Sequence, residues 1–298
     1  MRKTYRTGVR VLSTSLICVV LGLVPLNFTA SSEAMDGPAG HTFTSFDYPG
    51  AINTQATAIN NSGVIVGRYL SPDSVQHGFM LSKGTFSSID VPNSSLTDVT
   101  WINAGGQVVG SYISSIDGKE HAFLLSAGRF RTIDYPGADI TLGFGISPTG
   151  DIVGLQILNN VVDGYLLSKG VFSPIVLPGA AQTQPTMIVG HEIIGGYVDT
   201  AGEVHGFSLI NGTYSTITCP GAISVYLSGL NTGGSMVGEV TRSDEIQHGL
   251  LISGGTCSLI DFPGSMPGSN YANGINDAGT IVGRYATSDG VLHGYLRK

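Results

Sequence analysis

The sequence predicts an all-β protein that consists of six copies of one unit of about 43 residues. Three short markers recur around the chain, and a fixed repeat period is stronger evidence for a fold than any single motif. A unit of this length with four strands is typical of a β-propeller blade, so we predict a six-bladed β-propeller of four-stranded blades. The markers are a His-Gly-Phe element at His77, His121, His205, His248 and His293, with Asp163 in the missing slot; a Pro-Gly (once Pro-Asn) turn at Pro49, Pro92, Pro136, Pro178, Pro220 and Pro263; and a Val-Gly or Ile-Gly element at Gly67, Gly110, Gly154, Gly195, Gly238 and Gly283.

Four segments of the first unit have the composition of short strands. They are rich in Val, Ile, Phe, Tyr and Thr, and Gly, Asn, Ser or Pro residues bound them. No window outside the N-terminus has a sustained helical period, which excludes a helical repeat. The predicted strands are Thr57–Asn60 (the end of the first), Val64–Tyr69, His77–Ser82 and Thr85–Asp90.

The two ends of the repeat region complement each other. The last unit stops at Lys298, after its third strand, whereas a fourth-strand segment stands alone at Phe43–Gly50, before the first complete unit. We therefore predict that Thr42–Asp47 pairs with Leu292–Arg297 and closes the ring. Closure removes exposed strand edges, which otherwise promote aggregation.

These repeats resemble those of bacterial extracellular HAF-repeat proteins, a family named for His-Ala-Phe, which stands here at His121-Ala122-Phe123. The flanking INxxGxIVGxY and GxFxxIDYPGA patterns fit the same family, and the similarity covers about residues 42–298. The resemblance implies a secreted, propeller-like repeat protein, and it brings no catalytic motif. The fit is weakest in the third and fourth units, where Asp163 replaces His and the Ile-Asn turn becomes Ile188-Val189-Gly190-His191.

The N-terminal 34 residues have the pattern of a secretory signal peptide. Basic residues precede the mostly apolar stretch Val11–Val24, and the small residues Ser32 and Ala34 follow at the positions that a signal peptidase reads. An uncleaved membrane anchor is the alternative. We predict cleavage after Ala34, a single propeller domain over residues 35–298, and a secreted protein, extracellular or periplasmic.

The net charge of the chain indicates which classes of partner are not expected. The chain has a formal net charge of −7, and four of its 14 basic residues lie within the first ten positions. Because no basic patch or arginine-aromatic stripe is present, nucleic-acid binding is not expected. No segment of residues 35–298 is long and apolar enough to cross a membrane as a helix. We expect a monomer, and nothing in the sequence indicates a cofactor.

Two cysteines, Cys219 and Cys257, remain after the signal peptide. They fall in the fourth strands of neighbouring units and at different heights, so we expect them to stay unpaired. Strand pairing, without a disulfide, is then expected to hold the ring together.

A histidine and an aspartate separated by 13 residues recur as the most site-like pattern. In the hairpin between the third and fourth strands these two residues fall opposite each other. Such a pair could orient a base or a metal ligand, but its repetition around the ring favours a structural role, namely a hydrogen bond that holds each hairpin. The pairs are His77 with Asp90, His121 with Asp134, His248 with Asp261 and, across the closure, His293 with Asp47; the third unit lacks both members, and in the fourth unit His205 faces Thr218.

Trp101 is the candidate ligand-binding residue. It is the single tryptophan of the chain, and the equivalent slots of other units hold the small residues Ala58, Gly145, Gly229 and Gly274 near the axis. A tryptophan among small residues could stack on a sugar or an aromatic ligand, or it could simply fill the central channel. Both interpretations remain open at the level of the sequence.

The function predicted from these features is a binding or surface-interaction module for an unknown glycan or protein ligand. The variable loops between second and third strands lie on one face, where function is expected, near the axis. Acidic residues there, such as Asp117 and Asp244, lack a calcium-loop spacing and indicate ordinary turns. No catalytic residue or metal site is predicted. The alternatives are an extracellular glycan hydrolase or lyase with a site at the channel mouth, and a purely structural envelope protein.

Overall fold

A computed structural model of the chain describes residues 34–36 and 40–298. The predicted signal peptide therefore lies outside the described residues, apart from Ala34. The described chain is all-β, with antiparallel strands in six sheets that form the blades of a propeller. Among these residues there is no helix that is long and apolar enough to cross a membrane.

Each blade contains four consecutive strands, ordered from the inner strand beside the axis to the outer strand. Blade 6 differs because its outer strands come from the N-terminus. The strands are, in blade 1, β3 Asn53–Ile59, β4 Ile65–Leu70, β5 Gln76–Ser82 and β6 Thr85–Ile89; in blade 2, β7 Ser94–Ile102, β8 Val108–Ser114, β9 Glu120–Ser126 and β10 Arg129–Ile133; in blade 3, β11 Ile140–Ile146, β12 Ile152–Leu158, β13 Val161–Ser168 and β14 Val171–Ile175; in blade 4, β15 Gln182–Val189, β16 Glu192–Val198, β17 Val204–Ile210 and β18 Thr213–Ile217; in blade 5, β19 Ala222–Leu230, β20 Met236–Arg242, β21 Gln247–Ser253 and β22 Thr256–Ile260; and in blade 6, β23 Tyr271–Ile275, β24 Ile281–Ala286 and β25 Leu292–Arg297 with β2 Thr42–Phe46 and β1 Ala34–Asp36.

The predicted ring closure is confirmed. Strand β2 pairs with β25 in an antiparallel register that places Phe43 opposite Arg297 and Phe46 opposite Gly294. Two backbone hydrogen bonds between Thr42 and Lys298 extend this ladder. Strand β1 then adds a fifth strand outside β2, which the repeat pattern did not predict.

The recurring Val-Gly and His-Gly-Phe elements have one packing explanation. A Cβ atom at Gly67 would lie 2.0 Å from the carbonyl oxygen of Gln55 on the neighbouring inner strand and 2.8 Å from the ring of Phe79. Only glycine lets the ring of Phe79, which is fully buried, lie flat against the second strand. An aromatic ring lies equally close to Gly110, Gly154 and Gly283, and in blade 5 Leu250 takes the place of the ring opposite Gly238. These elements therefore belong to the core of their blades.

Asparagines in the turns between first and second strands connect neighbouring blades. The side-chain oxygen of Asn103 accepts a hydrogen bond from the backbone N–H of Gln107, as expected of turn chemistry. Its amide nitrogen also donates to the backbone oxygen of Ser147 in the next blade at 3.0 Å. Equivalent bonds join Asn60 to Asn103, Asn231 to Asn276 and Asn276 to Asn60.

The prediction that the two cysteines stay unpaired was wrong. Cys219 and Cys257 form a disulfide with their Cα atoms 6.0 Å apart, inside the range that such a bond requires. Their slots correspond to Tyr48 and Phe86 at the junction of blades 6 and 1, whose rings touch at a centroid distance of 5.3 Å. The turn after each outer strand therefore reaches the outer strand of the next blade, and the disulfide replaces an aromatic contact that occurs elsewhere.

Candidate functional site

The central channel is lined by one bulged residue from each inner strand. Every inner strand has a register shift in its pairing with the second strand, which leaves one residue unpaired and directs it towards the axis. The hydroxyl of Thr57 donates to the backbone oxygen of Val99 in the next blade at 2.9 Å. The six bulged residues are Thr57, Thr100, Phe144, Thr186, Ser228 and Asn273.

Trp101 lies across the channel immediately after one of these bulges and is only 5% exposed. Its ring reaches the opposite blade, because a Cβ atom built on Gly229 would lie 3.0 Å from it. Met187 of blade 4, which occupies the equivalent slot and was missed by sequence reasoning, is also buried there. This geometry fits a residue that fills the channel better than a platform that is open to a ligand.

The indole divides the channel into two chambers of about 60 Å³ each. We name them the loop-face chamber, on the side of the variable loops, and the turn-face chamber, on the side of the Ile-Asn turns. A volume of about 60 Å³ holds about four to six water molecules at roughly 10–15 Å³ each, so a whole sugar ring does not fit inside. The loop-face chamber is lined by Thr57, Arg68, Thr100, Trp101, Phe144, Gln184, Thr186, Tyr226, Ser228, Asn273 and Arg284.

One level of the loop-face half, which we name the divergent tier, holds a different pair of residues in every blade. Each pair consists of an inner-strand residue and the residue opposite it on the second strand, one position after the Val-Gly or Ile-Gly element. No single residue type is needed here to form a blade. The pairs are Gln55 with Arg68, Asp98 with Ser111, Leu142 with Leu155, Gln184 with Gly196, Tyr226 with Glu239, and Tyr271 with Arg284.

Arg68 is the cation of this tier that has an ion-pair partner. It is 5% exposed, and its Nη1 atom donates to both carboxylate oxygens of Asp98 in blade 2 at 2.8 Å. Its Nε and Nη2 atoms donate to the side-chain oxygen of Gln55 at 3.3 and 3.2 Å. A buried charge needs partners of this kind to offset its loss of hydration.

Arg284, the second cation, is paired differently. Its Nη1 atom donates to the side-chain oxygen of Gln55, and its guanidinium carbon lies 3.8 Å above the ring centroid of Tyr271. Its Nε atom is buried and has no hydrogen-bond partner in the described part of the chain. The side-chain oxygen of Gln184, a residue that is 2% exposed, likewise has none. The tier therefore presents a donor and an acceptor that the fold itself does not satisfy.

Burial shifts the titration of the acidic groups around this tier. Desolvation raises the pKa of Glu239 to about 7, although the charge of Arg284 opposes the shift. Desolvation, followed by repulsion from Asp98, raises the pKa of Glu120 to about 7. The pKa of Arg284 is lowered, first by desolvation and then by the like charge of Arg68.

Histidine and aspartate side chains lie within hydrogen-bonding distance of each other in four blades, and their structural role stays a prediction. The Nδ1 atoms of the histidines lie 2.6–3.0 Å from carboxylate oxygens of the aspartates that directly follow the outer strand of each hairpin. In three of these four blades the imidazole also stacks on a tyrosine of the second strand, with centroids 5.1–5.3 Å apart. The pairs are His77 with Asp90, His121 with Asp134, His248 with Asp261, and His293 with Asp47.

In blade 2 the loop between the second and third strands also contacts the histidine, because Asp117 of this loop pairs with His121. Burial by itself would lower the pKa of His121, but hydrogen bonds to Asp134 and Asp117 outweigh it and raise the pKa. The backbone N–H of Lys119, helped by Ser114 and His121, lowers the pKa of Asp117 to about 2. His121 is therefore paired with both Asp117 and Asp134. This group lies at the outer strands of the blade, away from the channel, in the region that we name the rim.

In blade 4 the histidine turns to the loop. The Nε2 atom of His205 lies 3.0 Å from a carboxylate oxygen of Asp199. Asp199, Glu203 and His205 offer ligand atoms within 4.8 Å of one another, a spacing that would suit a metal ion. The other carboxylate oxygen of Asp199 already accepts the backbone N–H groups of Ala201 and Glu203, which is ordinary turn chemistry.

The divergent tier is the part of the site that sequence reasoning missed. Its signal was present, because the position after each Val-Gly or Ile-Gly element differs in all copies except two arginines. Aligning the six units and asking where they differ would have revealed half of it. The opposite inner-strand residue could be paired with it only once the register was known.

No protein-family model and no curated protein matches the chain, so the HAF-repeat resemblance remains a prediction. Solved propeller structures are similar in fold. Aleuria aurantia lectin, in complex with Fucalpha1-6GlcNAc, has a TM-score of 0.52 and 11% identity, over 82% of this chain and 91% of that one. AofleA from Arthrobotrys oligospora has a TM-score of 0.55 and 13% identity, over 87% and 88%. A TolB-like protein from Agrobacterium tumefaciens has a TM-score of 0.57 and 17% identity, over 82% and 89%.

Proposed function

We propose that this protein is a secreted binding module whose ligand docks at the mouth of the loop-face chamber. The divergent tier carries the proposal. Residues that only build a blade repeat from copy to copy, whereas a single binding site on a six-fold scaffold needs different side chains in different blades. Arg284 Nε and Gln184 Oε1 are buried and have no partner among the described residues, and buried hydrogen-bonding groups of this kind are typical of sites that a ligand completes.

Two observations support secretion. Residues 1–34 have the pattern of a signal peptide, and the disulfide between Cys219 and Cys257 is of the kind that persists in oxidising compartments. Extracellular or periplasmic location of the monomer follows from the proposal.

A glycan is the ligand class to test first. The Aleuria aurantia lectin of similar fold is described as binding fucosides, and the chamber mouth offers hydroxyl, amide and aromatic groups of the kind that hold sugars. A protein ligand is the competing class. Because a sugar ring does not fit inside the chamber, the ring would lie at the mouth with one substituent inserted.

The test is binding of the full chain to a glycan array, with Ser228→Phe as the blocking variant. Phe144 already occupies the equivalent bulge in blade 3, so a phenylalanine at residue 228 suits the fold while it fills the chamber. The matched control is Thr232→Phe, which adds the same ring at the turn-face end of the same blade. We expect Ser228→Phe to abolish binding and Thr232→Phe to retain it.

Binding that survives Ser228→Phe would move the site away from the chamber. If the array shows no binding, immobilised wild-type chain is tested for a protein ligand that Ser228→Phe fails to retain. Failure of both arms contradicts the proposed function and favours the structural envelope alternative.

Glu239 gives a specific reason to keep an enzyme as the second candidate. A carboxyl group with a pKa of about 7 is suited to general acid–base catalysis near neutral pH. Glu239 lies opposite Tyr226, which lines the loop-face chamber, but Glu239 itself does not line it. Glycan hydrolysis or elimination would therefore require Glu239 to act on a group inserted past this lining, and Glu239→Gln would lose turnover while it retained array binding. Turnover by neither protein on any glycan that binds would contradict this candidate.

A further inference from the structure

Arg284 is a largely buried cation without a directly paired carboxylate in the described part of the chain. Arg68, by contrast, holds both oxygens of Asp98. No carboxylate oxygen among the described residues lies within the 4.0 Å of Arg284 that defines an ion pair, and Glu239 acts on it only from a greater distance. An interior guanidinium in this state is costly, because its hydration is lost and no counter-charge replaces it.

The surroundings of Arg284 fix its orientation. Gln55 accepts from its Nη1 atom, and the ring of Tyr271 lies against one face of the guanidinium. Arg284 lines the loop-face chamber, and its buried Nε atom has no hydrogen-bond partner in the described part of the chain. A guanidinium held in this manner presents its donors in a fixed planar arrangement, which matches the two oxygens of a carboxylate better than a neutral hydroxyl group.

The other polar groups of the chamber suit the same ligand. The hydroxyl of Ser228 and the amide of Asn273 line it. The hydroxyl of Ser228 and the second N–H of the Asn273 amide, whose first N–H donates to the backbone oxygen of Ala56, can each donate a hydrogen bond to an oxyanion. Among the residues that the structure describes, no carboxylate lines the chamber: Asp98 is held by Arg68, and neither Asp98 nor Glu239 is a lining residue. The volume of about 60 Å³ admits a group of a few heavy atoms.

We propose that the loop-face chamber binds an oxyanion, a carboxylate above all, which pairs with the guanidinium of Arg284. This inference rests on the proposed function, since it names the chemistry of the group that the ligand inserts. The carboxylate comes either from a free small anion, which enters whole, or from an acidic sugar, whose ring stays at the mouth.

Trp101 provides a direct readout, because it is the single tryptophan of the chain and lines the same chamber. The full chain is titrated at constant ionic strength with sodium acetate, sodium sulfate, D-galacturonate and, as a neutral control, D-galactose, while tryptophan emission is recorded. We expect a saturable change with acetate or galacturonate and none with galactose. A response to galacturonate at lower concentration than to acetate identifies the acidic sugar as the source; the reverse identifies a free anion.

Three variants test the role of Arg284. Arg284→Gln is expected to abolish the response, and Arg284→Lys, which keeps the charge without the planar fork, to weaken it at least tenfold. Arg242→Gln removes an exposed arginine near the end of β20 and is expected to leave the titration unchanged. Far-ultraviolet circular dichroism checks that each variant is folded, and Arg284→Lys keeps the test decisive if Arg284→Gln does not fold.

Absence of a saturable response in the wild-type chain, or an equal response in Arg284→Gln or Arg284→Lys, overturns the oxyanion proposal. That outcome leaves the proposed function standing if Ser228→Phe still abolishes glycan or protein binding. Conversely, a response to acetate together with array binding that ignores Ser228→Phe would support the anion site and contradict the proposed location of the ligand.

Discussion

The two chambers of the channel have the same volume of about 60 Å³, yet they differ in how much their residues vary from blade to blade. At the turn-face end the same residue recurs, and Asn60, Asn103, Asn231 and Asn276 all donate a hydrogen bond to the next blade. At the loop-face end the divergent tier holds a different pair in every blade. Both ends lie on the same inner strands, so the demands of strand pairing are equal.

The difference teaches how to separate structure from function inside a repeat protein. A position that holds a blade in place tends to keep the same side chain in most copies, because each blade has the same structural requirement there. A position that is not needed to build a blade can hold a different residue in each copy, and such residues can form a single binding site. The histidine–aspartate pairs of the rim belong to the first kind, and Arg68, Arg284 and Glu239 belong to the second.

The largest expected effect comes from removing the residue that separates the chambers. Trp101→Ala opens one continuous channel and leaves a cavity among buried residues, so we expect the free energy of unfolding to fall by about 3–5 kcal/mol. Urea denaturation measures it. Met187→Leu, which conserves volume at the same level, is expected to cost less than about 1.5 kcal/mol. A loss below about 1 kcal/mol for Trp101→Ala would mean that the indole does not fill the channel.

The second prediction concerns the loss of stability caused by burying the charged carboxylate of Glu239 in the divergent tier. The pKa of Glu239 is raised from its ordinary 4.5 to about 7 in the folded chain, so the folded state binds the proton more tightly than the unfolded state. The contribution of Glu239 to stability is therefore most favourable below pH 4.5 and is lost as the pH rises through about 7. Glu239→Gln is expected to be more stable than wild type by about 3 kcal/mol at pH 8 and equally stable at pH 4. A difference that does not depend on pH would contradict this assignment.

The third prediction concerns the asparagine ring of the turn-face chamber. Asn103→Ala removes the bond to the carbonyl oxygen of Ser147 and the local bond to the backbone of Gln107. We expect a loss of about 1–2 kcal/mol in the free energy of unfolding, with ligand binding unchanged. Asn103→Ser copies Ser147, the residue of blade 3, and is expected to lose less. Altered ligand binding in Asn103→Ala would remove the distinction between the two chambers.

The smallest effect is expected on the rim. His121→Ala breaks the hydrogen bond to Asp134, whose carboxylate is 56% exposed, so the expected loss is about 1 kcal/mol. Because the pKa of His121 is raised in the folded chain, its contribution is complete below about pH 6.5 and is lost as the pH rises through the folded value. Melting curves of both proteins at pH 5.5 and pH 8.5 measure the change. A larger difference at pH 8.5, or unchanged melting together with lost ligand binding, would contradict the structural role.

Most of the histidine–aspartate contacts of the rim could be predicted from the sequence because both members belong to one hairpin. The 13-residue offset between His77 and Asp90 spans one hairpin with a tight turn, so strand alternation alone places the two side chains opposite each other. The closure between β2 and β25 followed from the same logic, applied to two complementary ends. His205 escaped it because its partner, Asp199, lies on the preceding loop and not on the fourth strand.

The sequence by itself determined the period, the number of blades, the order of strands and the closure, because each of these depends on local alternation repeated at a constant interval. Only the tertiary structure decided what meets between blades: the reach of Trp101 to Gly229, the bulges that turn one residue of each inner strand towards the axis, the disulfide between Cys219 and Cys257, and the unsatisfied edge of Arg284. Those contacts depend on how twisted sheets are arranged around an axis, and residues far apart in the chain come together there without any local signal that relates them.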